Sequence, residues 1–168
     1  MKKNKSLSFL VVVSFVLFLV GVVSFLTPFW ELTTKTILSS ESSTSTLNFL
    51  DKLDGVKSLY KTSGLEFKVE GAALTVTICT LIAFAAMALF FVCQFLQGSK
   101  LNRTISVVLA CLGLLAALVA LVCVFIVAGQ GKASNQMISY TFGANIGAYL
   151  AVIGFGLSGV TGALACAK

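Results

Sequence analysis

The stretch from residue 105 to residue 128, ISVVLACLGLLAALVALVCVFIVA, contains 24 residues and no charge. About 20 consecutive apolar residues are enough for an α-helix to cross a bilayer. Three further apolar stretches run over about residues 7–26, 71–96 and 140–165. Because backbone polar groups must be satisfied internally in hydrocarbon, each stretch is predicted to be a transmembrane helix. The sequence therefore predicts an all-α membrane protein of one domain, residues 1–168, built as a four-transmembrane-helix bundle.

The overall composition agrees with this interpretation. Hydrophobic residues make up 58% of the chain and charged residues only 11%, whereas soluble domains carry about 25% charged residues. The first apolar stretch follows three lysines, as a secretory signal does. It is 20 residues long, however, and no clear small-x-small cleavage site follows it. We therefore interpret it as a retained spanning helix.

The distribution of charge predicts the orientation in the membrane. All six acidic residues lie in the first loop, residues 27–70. Short basic segments stay in the cytoplasm, and here they occur at both chain ends and between the second and third helices, at Lys2, Lys3, Lys5, Lys100, Arg103 and Lys168. We expect a multi-pass protein of the plasma membrane or a secretory-pathway membrane, with cytoplasmic termini and an extracellular first loop. The net charge of +6 is mostly this topology signal, so no nucleic-acid partner is expected.

Two segments of the first loop are predicted to form β-strands. Apolar or β-branched residues alternate with polar ones over Trp30–Thr36 and again over Leu65–Glu70, and a period of two is typical of a strand. Paired antiparallel, the two segments would make a small extracellular β-sheet. Trp30, Phe67 and Val69 are the residues predicted to form and anchor it.

The middle of the first loop carries two other patterns. Seven of the eight residues in Ser39–Thr46 are Ser or Thr, which predicts a turn or the tip of a strand. Phe49, Leu53, Val56 and Tyr60 follow at spacings of four, three and four, which predicts a short amphipathic helix in the first loop. This apolar stripe either packs on the strands or forms a docking surface for a partner.

Several function classes are disfavoured by missing residue types. The chain has no His, and no charged residue lies inside the predicted spans, whereas pumps, proton-coupled carriers and voltage sensors need ionisable groups at membrane depth. No Cys-x-x-Cys pair is available for redox or metal chemistry. We therefore expect no enzyme activity, no catalytic or metal site and no cofactor, with bound lipid as the expected ligand. All five cysteines lie in the predicted spans, at Cys79, Cys93, Cys111, Cys123 and Cys166.

The fourth stretch carries a line of small residues at steps of three or four. Small residues let helix backbones approach closely, and Gly-x-x-x-Gly is the familiar form. The line is predicted to pack helices, either inside one bundle or between two copies of the chain. It comprises Gly143, Gly147, Ala151, Gly154 and Ser158.

Two cysteines lie near the predicted cytoplasmic boundary of the membrane. They are Cys93 in the second stretch and Cys166 in the fourth. Because juxtamembrane cysteines are acceptors for reversible lipidation, both are candidate palmitoylation sites.

The chain resembles the claudin, peripheral myelin protein and amastin superfamily. The first helix is followed by Pro28-Phe29-Trp30, the second begins with Gly71-Ala72-Ala73-Leu74, and the fourth ends in Leu164-Ala165-Cys166. The resemblance implies four helices, cytoplasmic ends and a first loop that forms a small sheet. The two first-loop cysteines of that family are missing here, so a sheet in this loop must hold by pairing and packing alone.

These observations predict a non-enzymatic, claudin-like protein that acts by contact, in adhesion or in organising the membrane. Its partners would be membrane lipids together with itself or another membrane protein. The alternatives left open are an accessory subunit of a larger channel or transporter complex, an oligomeric channel, and a scaffold that shapes the membrane.

Overall fold

The computed structural model describes residues 9–39, 41–96 and 100–167. The chain forms five α-helices and four β-strands within these ranges. The predicted start of the first helix at residue 7 lies outside the described residues, as do Lys2, Lys3, Lys5 and Lys168.

Four of the helices are long and apolar enough to cross a membrane, as the sequence predicted. The first, α1, is continued by a single 3-10 turn, Ser24–Leu26. The four long helices run alternately toward and away from the sheet, so the start of α1 and the end of α5 lie at the end of the bundle opposite the sheet. Helix α5 packs against α1 and α4, and α3 packs against α4. The bounds are Phe9–Val23 for α1, Glu70–Phe95 for α3, Lys100–Gln130 for α4 and Ile146–Ala167 for α5.

The four strands form one antiparallel sheet in the order β2-β1-β4-β3. Strands β1 and β2 come from the loop between α1 and α3, and β3 and β4 come from the loop between α4 and α5. The prediction of a small sheet is confirmed, but the first loop alone does not make it. The strands are Trp30–Thr36 (β1), Ser42–Leu47 (β2), Lys132–Ser134 (β3) and Ile138–Ala144 (β4).

Strand β4 occupies a segment that was predicted as the start of the fourth helix. The predicted start at residue 140 is wrong, because α5 begins at Ile146. Residues at alternate positions, among them Tyr140 and Phe142, point into the sheet core. The alternation of β4 could not be distinguished in the sequence, because β4 directly precedes the long apolar stretch that forms α5. Gly143 therefore lies in a strand and cannot pack a helix as predicted.

The second predicted strand, Leu65–Glu70, is also wrong. The chain turns at Gly64, which has a φ of +70°, and helix α3 already begins at Glu70. Strand β1 has no free edge for this segment, because β2 and β4 pair with it on its two sides. Its alternation reflects packing instead. Phe67 is half-buried and Val69 is fully buried, although neither belongs to the sheet.

Candidate functional site

Aromatic rings form the core beneath the sheet. Trp30 is buried and stacks on Phe142 at 5.3 Å between ring centroids. Phe67 meets the edge of Phe142 at 5.1 Å, and Tyr60 stacks on Tyr140 at 5.0 Å. These contacts join the first loop to the second. Each pair adds about 0.5–1.5 kcal/mol beyond the burial of its area, so ring packing supports this sheet. The five cysteines lie in the long helices, away from the sheet.

The stripe of Phe49, Leu53, Val56 and Tyr60 lies inside the fold. All four side chains are buried. The short helix is confirmed as α2, Asp54–Thr62, and contains the last two of them. This is the packed arrangement of the two that the sequence allowed. The four side chains do not offer the exposed surface that a docking role requires.

Hydrogen bonds join α2 to the loop between α4 and α5, residues 131–145. The Tyr60 hydroxyl donates to the Gly131 carbonyl at 3.1 Å. Burial, and secondarily the neighbouring Tyr140, raise the pKa of Tyr60 to about 12. The hydroxyls of Ser63 and Tyr140 lie 2.8 Å apart, and the Asn135 amide donates to the Ser63 carbonyl at 2.9 Å. Residues at the end of α2 therefore hydrogen-bond to the residues on both sides of β3, Gly131 before it and Asn135 after it.

A gap of about 300 Å³ opens beside β3. It lies between residues 130–134 and the chain at residues 64–69, with Tyr60 also in its lining. The charged side chains that line it are Glu66, Lys68 and Lys132. Across residues 9–39, 41–96 and 100–167, no three His, Cys, Asp or Glu side chains are grouped so that they could hold a metal ion.

Three exposed aliphatic side chains lie at the end of the sheet farthest from the helices. Ile37 and Leu38 are in the turn after β1, and Met137 precedes β4. Their exposed fractions are 56%, 81% and 63%. The Ile37 amide donates to the Met137 carbonyl at 2.9 Å, which joins the two turns. We call these three residues the apolar tip.

None of the sequence patterns predicted the apolar tip. The available signal was the type of residue, because Ile, Leu and Met occupy turns that polar residues or glycine usually fill. Ile37 and Leu38 directly follow a predicted strand. Recognising the tip also required β4, since only the pairing of β1 with β4 brings the two turns together.

Gly154 and Ser158, two of the five small residues predicted to pack helices, lie against α1 within this chain, and Gly147 lies against the chain that directly follows α1. A Cβ added to Gly154 would lie 2.4 Å from the Gly21 backbone nitrogen, and one added to Gly147 would lie 2.7 Å from the Pro28 carbonyl oxygen. Ala151 is fully buried. The line of small residues therefore belongs to an internal contact, which we call the α1–α5 seam.

The fourth seam residue, Ser158, makes reciprocal hydrogen bonds across the contact. The Ser14 hydroxyl donates to the Ser158 carbonyl at 2.8 Å, and the Ser158 hydroxyl donates to the Ser14 carbonyl at 2.8 Å. Both residues are buried. The Ser14 and Ser158 hydroxyls are therefore both paired within the seam, whereas the buried Ser24 hydroxyl, at the end of the seam nearer the sheet, has no hydrogen-bond partner among the described residues.

The two palmitoylation candidates differ in their surroundings. Cys166 is buried, and the Gln94 amide donates to its sulfur at 3.3 Å. The Arg103 guanidinium donates to the Cys166 carbonyl through two nitrogens, at 2.9 and 2.6 Å. Lipidation of Cys166 requires its thiol to leave this site. Cys93 is half-buried, so the lipidation prediction applies more directly to it.

Comparison with family models, with curated proteins and with solved structures finds no significant match for this chain. The function of the protein must therefore be inferred from the chemistry and geometry of its own surfaces.

Proposed function

We propose that the protein crosses a membrane four times and acts, without catalysis, by contact through the end that carries the sheet. Both chain ends would lie in the cytoplasm and the sheet outside, in the plasma membrane or a secretory-pathway membrane. The charge distribution supports this orientation, because basic segments favour the cytoplasm, five of the six acidic residues lie in the loop that forms β1, β2 and α2, and the sixth, Glu70, begins α3 at the same end of the molecule.

The apolar tip is the observation that carries the proposal. Single exposed apolar residues are common on protein surfaces. Here three adjacent residues project from two turns that a hydrogen bond joins. The tip also lies at the far end of the sheet, because Thr36 pairs with Ile138 there, whereas Trp30 pairs with Ala144 next to the helices. A surface in this position would be the first to meet a partner outside the membrane.

The partner that suits the tip is another membrane protein, on the same membrane or on an apposed one. Three side chains bury much less than the roughly 800 Å² per partner of a stable interface. One tip therefore makes a weak contact, and useful strength requires many copies acting together. This form of action is adhesion or membrane organisation.

The test uses vesicles that contain the purified full chain, added to cells that naturally make it. We expect bound vesicles to fall at least several-fold when Ile37 and Leu38 are both changed to Ser. Leu50→Ser is the matched control, since Leu50 is 83% exposed and lies outside the tip. Trp30, which is buried and is the chain's one tryptophan, reports by its fluorescence that each variant is folded. Equal binding by the tip variant and the wild type would refute contact between apposed membranes through the tip.

A further inference from the structure

The two outermost strands of the sheet are unequal in length but both have a free edge. Strand β2, Ser42–Leu47, and strand β3, Lys132–Ser134, each pair with one neighbour only. Natural edge strands usually carry charges, proline or bulges that prevent pairing with another chain. Strand β2 consists of Ser and Thr with one Leu, and its residues are exposed apart from Leu47. It therefore lacks the usual protection.

The pairing of β3 fixes which of its backbone groups are free. The Phe142 amide donates to the Gly131 carbonyl at 2.8 Å. In an antiparallel ladder, hydrogen-bonded and non-hydrogen-bonded pairs alternate. The N–H and C=O groups of Lys132 and Ser134 therefore point away from β4, toward the gap of about 300 Å³ beside this strand.

The same reasoning applies to β2. The Thr36 amide donates to the Glu41 carbonyl at 3.1 Å, and the register continues with Lys35 opposite Ser42. Ser42 and Thr44 therefore direct their N–H and C=O groups away from β1, as does every second residue of the strand.

The unpaired edges of β2 and β3 lie at the same height in the sheet, and the two strands run in opposite directions. Lys132 lies opposite Thr141, Thr141 opposite Thr33, and Thr33 opposite Thr44, which makes one row across the sheet. A second row joins Ser134, Ser139, Lys35 and Ser42. Strand β3 runs away from the helices and β2 runs back toward them. Two copies that stand side by side in one membrane thus present antiparallel edges at the same height, with their free backbone groups level.

We propose that β2 of one copy pairs with β3 of a second copy of this chain, so that Thr44 lies beside Lys132 and Ser42 beside Ser134. The sheet then continues from copy to copy. The contact joins different surfaces of the two copies, and such a contact generates rows or rings.

This inference rests on the proposed function in one respect, because both copies must hold their sheets on the same side of one membrane. Two residue pairs provide only a few hydrogen bonds, and each contributes little net free energy in water. Confinement to a membrane raises the effective concentration of the second copy and makes so small a contact useful.

Cysteine cross-linking tests the predicted register. The native cysteines all lie in α3, α4 and α5, so cysteines placed in the sheet are distinct from them. Hydrogen-bonded antiparallel partners have Cα atoms about 5.5 Å apart, which a disulfide can bridge. With Thr44→Cys and Lys132→Cys in one chain, mild oxidation in proteoliposomes should give a ladder of dimers and larger species.

The matched control pairs Thr44→Cys with Lys52→Cys, because Lys52 is exposed but belongs to no strand. This control should give at least several-fold less product than the matched pair. Equal ladders from both pairs, or monomers alone while a membrane-impermeant thiol reagent still labels both cysteines, would overturn the proposal.

Proline substitution separates pairing between copies from folding of each copy. An edge strand tolerates proline where its N–H faces outward. Thr44→Pro should keep the buried Trp30 signal yet abolish cross-linking between Ser42→Cys and Ser134→Cys. Ser45→Pro removes a bond to β1 and should disturb the sheet itself. Persistent cross-linking in Thr44→Pro would contradict the edge contact.

The vesicle-binding assay distinguishes this inference from the proposed function. If the matched cysteines fail to cross-link while binding still depends on the apolar tip, the edge contact is wrong and the proposed function stands. If Thr44→Cys is labelled only after the membrane is permeabilised, the sheet does not lie outside and the proposed orientation is wrong.

Discussion

The α1–α5 seam and the aromatic core beneath the sheet are held together by opposite means. In the seam, Gly154 lies so close to Gly21 that no side chain fits between the two backbones. Beneath the sheet, the space between the loops is filled by large rings, with Phe142 in contact with both Trp30 and Phe67. Stability at one end thus depends on missing volume and at the other on volume supplied. Loss of side-chain volume should therefore destabilise the aromatic core, whereas added side-chain volume should destabilise the seam.

The largest effect is expected from removing a ring beneath the sheet. Phe142→Ala should lower the free energy of unfolding by about 3–5 kcal/mol, because a buried phenyl group is lost and a cavity remains. Phe142 is almost fully buried. Denaturant unfolding in detergent, followed by the fluorescence of Trp30, measures the change. Phe125→Ala is the control, since Phe125 is exposed on α4. Similar losses in both variants would contradict the importance of the ring core.

The seam should respond to added rather than removed volume. Gly154→Ala should cost about 1–3 kcal/mol, the usual range for overpacking, because the new Cβ would meet the Gly21 backbone at 2.4 Å. Backbone atoms cannot rotate aside as a side chain can. Gly156→Ala serves as the control in the same helix, where the nearest atom is the Ala117 Cβ at 3.4 Å. Thermal unfolding of the two purified variants should separate them, and equal midpoints would refute the close approach.

The same contrast explains which features the sequence predicted. The length of the apolar stretches alone located the four long helices, because each helix needs its own run of about 20 apolar residues and no contact with a distant segment. Strand β1 was predicted at its observed bounds, Trp30–Thr36, since it carries a clean period of two. Gly154 and Ser158 of the predicted small-residue line lie against α1, a partner that could not be read from the sequence of α5 itself.

The rest of the sheet depends on contacts between distant segments. Strand β2 has no apolar alternation, because it is exposed apart from Leu47 and pairs mainly through its backbone. Leu65–Glu70 has good alternation but no partner, since β2 and β4 already flank β1. The apolar tip joins two loops that lie about 100 residues apart in the chain. The sequence marked two alternating segments, and pairing between distant segments decided that only Trp30–Thr36 became a strand and that β2 and β4 took its two edges.

A smaller effect, with a distinct pH dependence, is expected at Tyr60. Tyr60→Phe removes the hydrogen bond to the Gly131 carbonyl, which is worth about 1 kcal/mol. Burial raises the pKa of Tyr60 from 10.0 to about 12, so the folded state holds the phenolic proton more tightly than the unfolded state. The contribution of Tyr60 is therefore complete below pH 10 and is lost as the pH rises to about 12.

Comparison of wild type and Tyr60→Phe across this window checks the sign of the effect. The free energy of unfolding of the wild type should fall more steeply between pH 10 and 12 than that of the variant. Tyr149→Phe is the control, because Tyr149 is exposed on α5. Parallel curves for wild type and Tyr60→Phe would show that the phenol ionises with its ordinary pKa.

The smallest effect is expected at the ion pair that joins α2 to the start of α3. The Lys57 ammonium lies 2.9 Å from a Glu70 carboxylate oxygen, and both side chains are partly exposed. Hydrogen bonding to Glu70 raises the pKa of Lys57, so its contribution is present at neutral pH and is lost as the pH rises above the usual value for lysine. Exposed pairs contribute little and are screened by salt. Lys57→Met should therefore shift the unfolding midpoint slightly at low ionic strength and not at all at high ionic strength, whereas Lys52→Met should shift it at neither. Because methionine keeps an apolar stem of similar length and removes only the ammonium group, a large, salt-independent loss would contradict this weak, screened contribution of the Lys57–Glu70 ion pair.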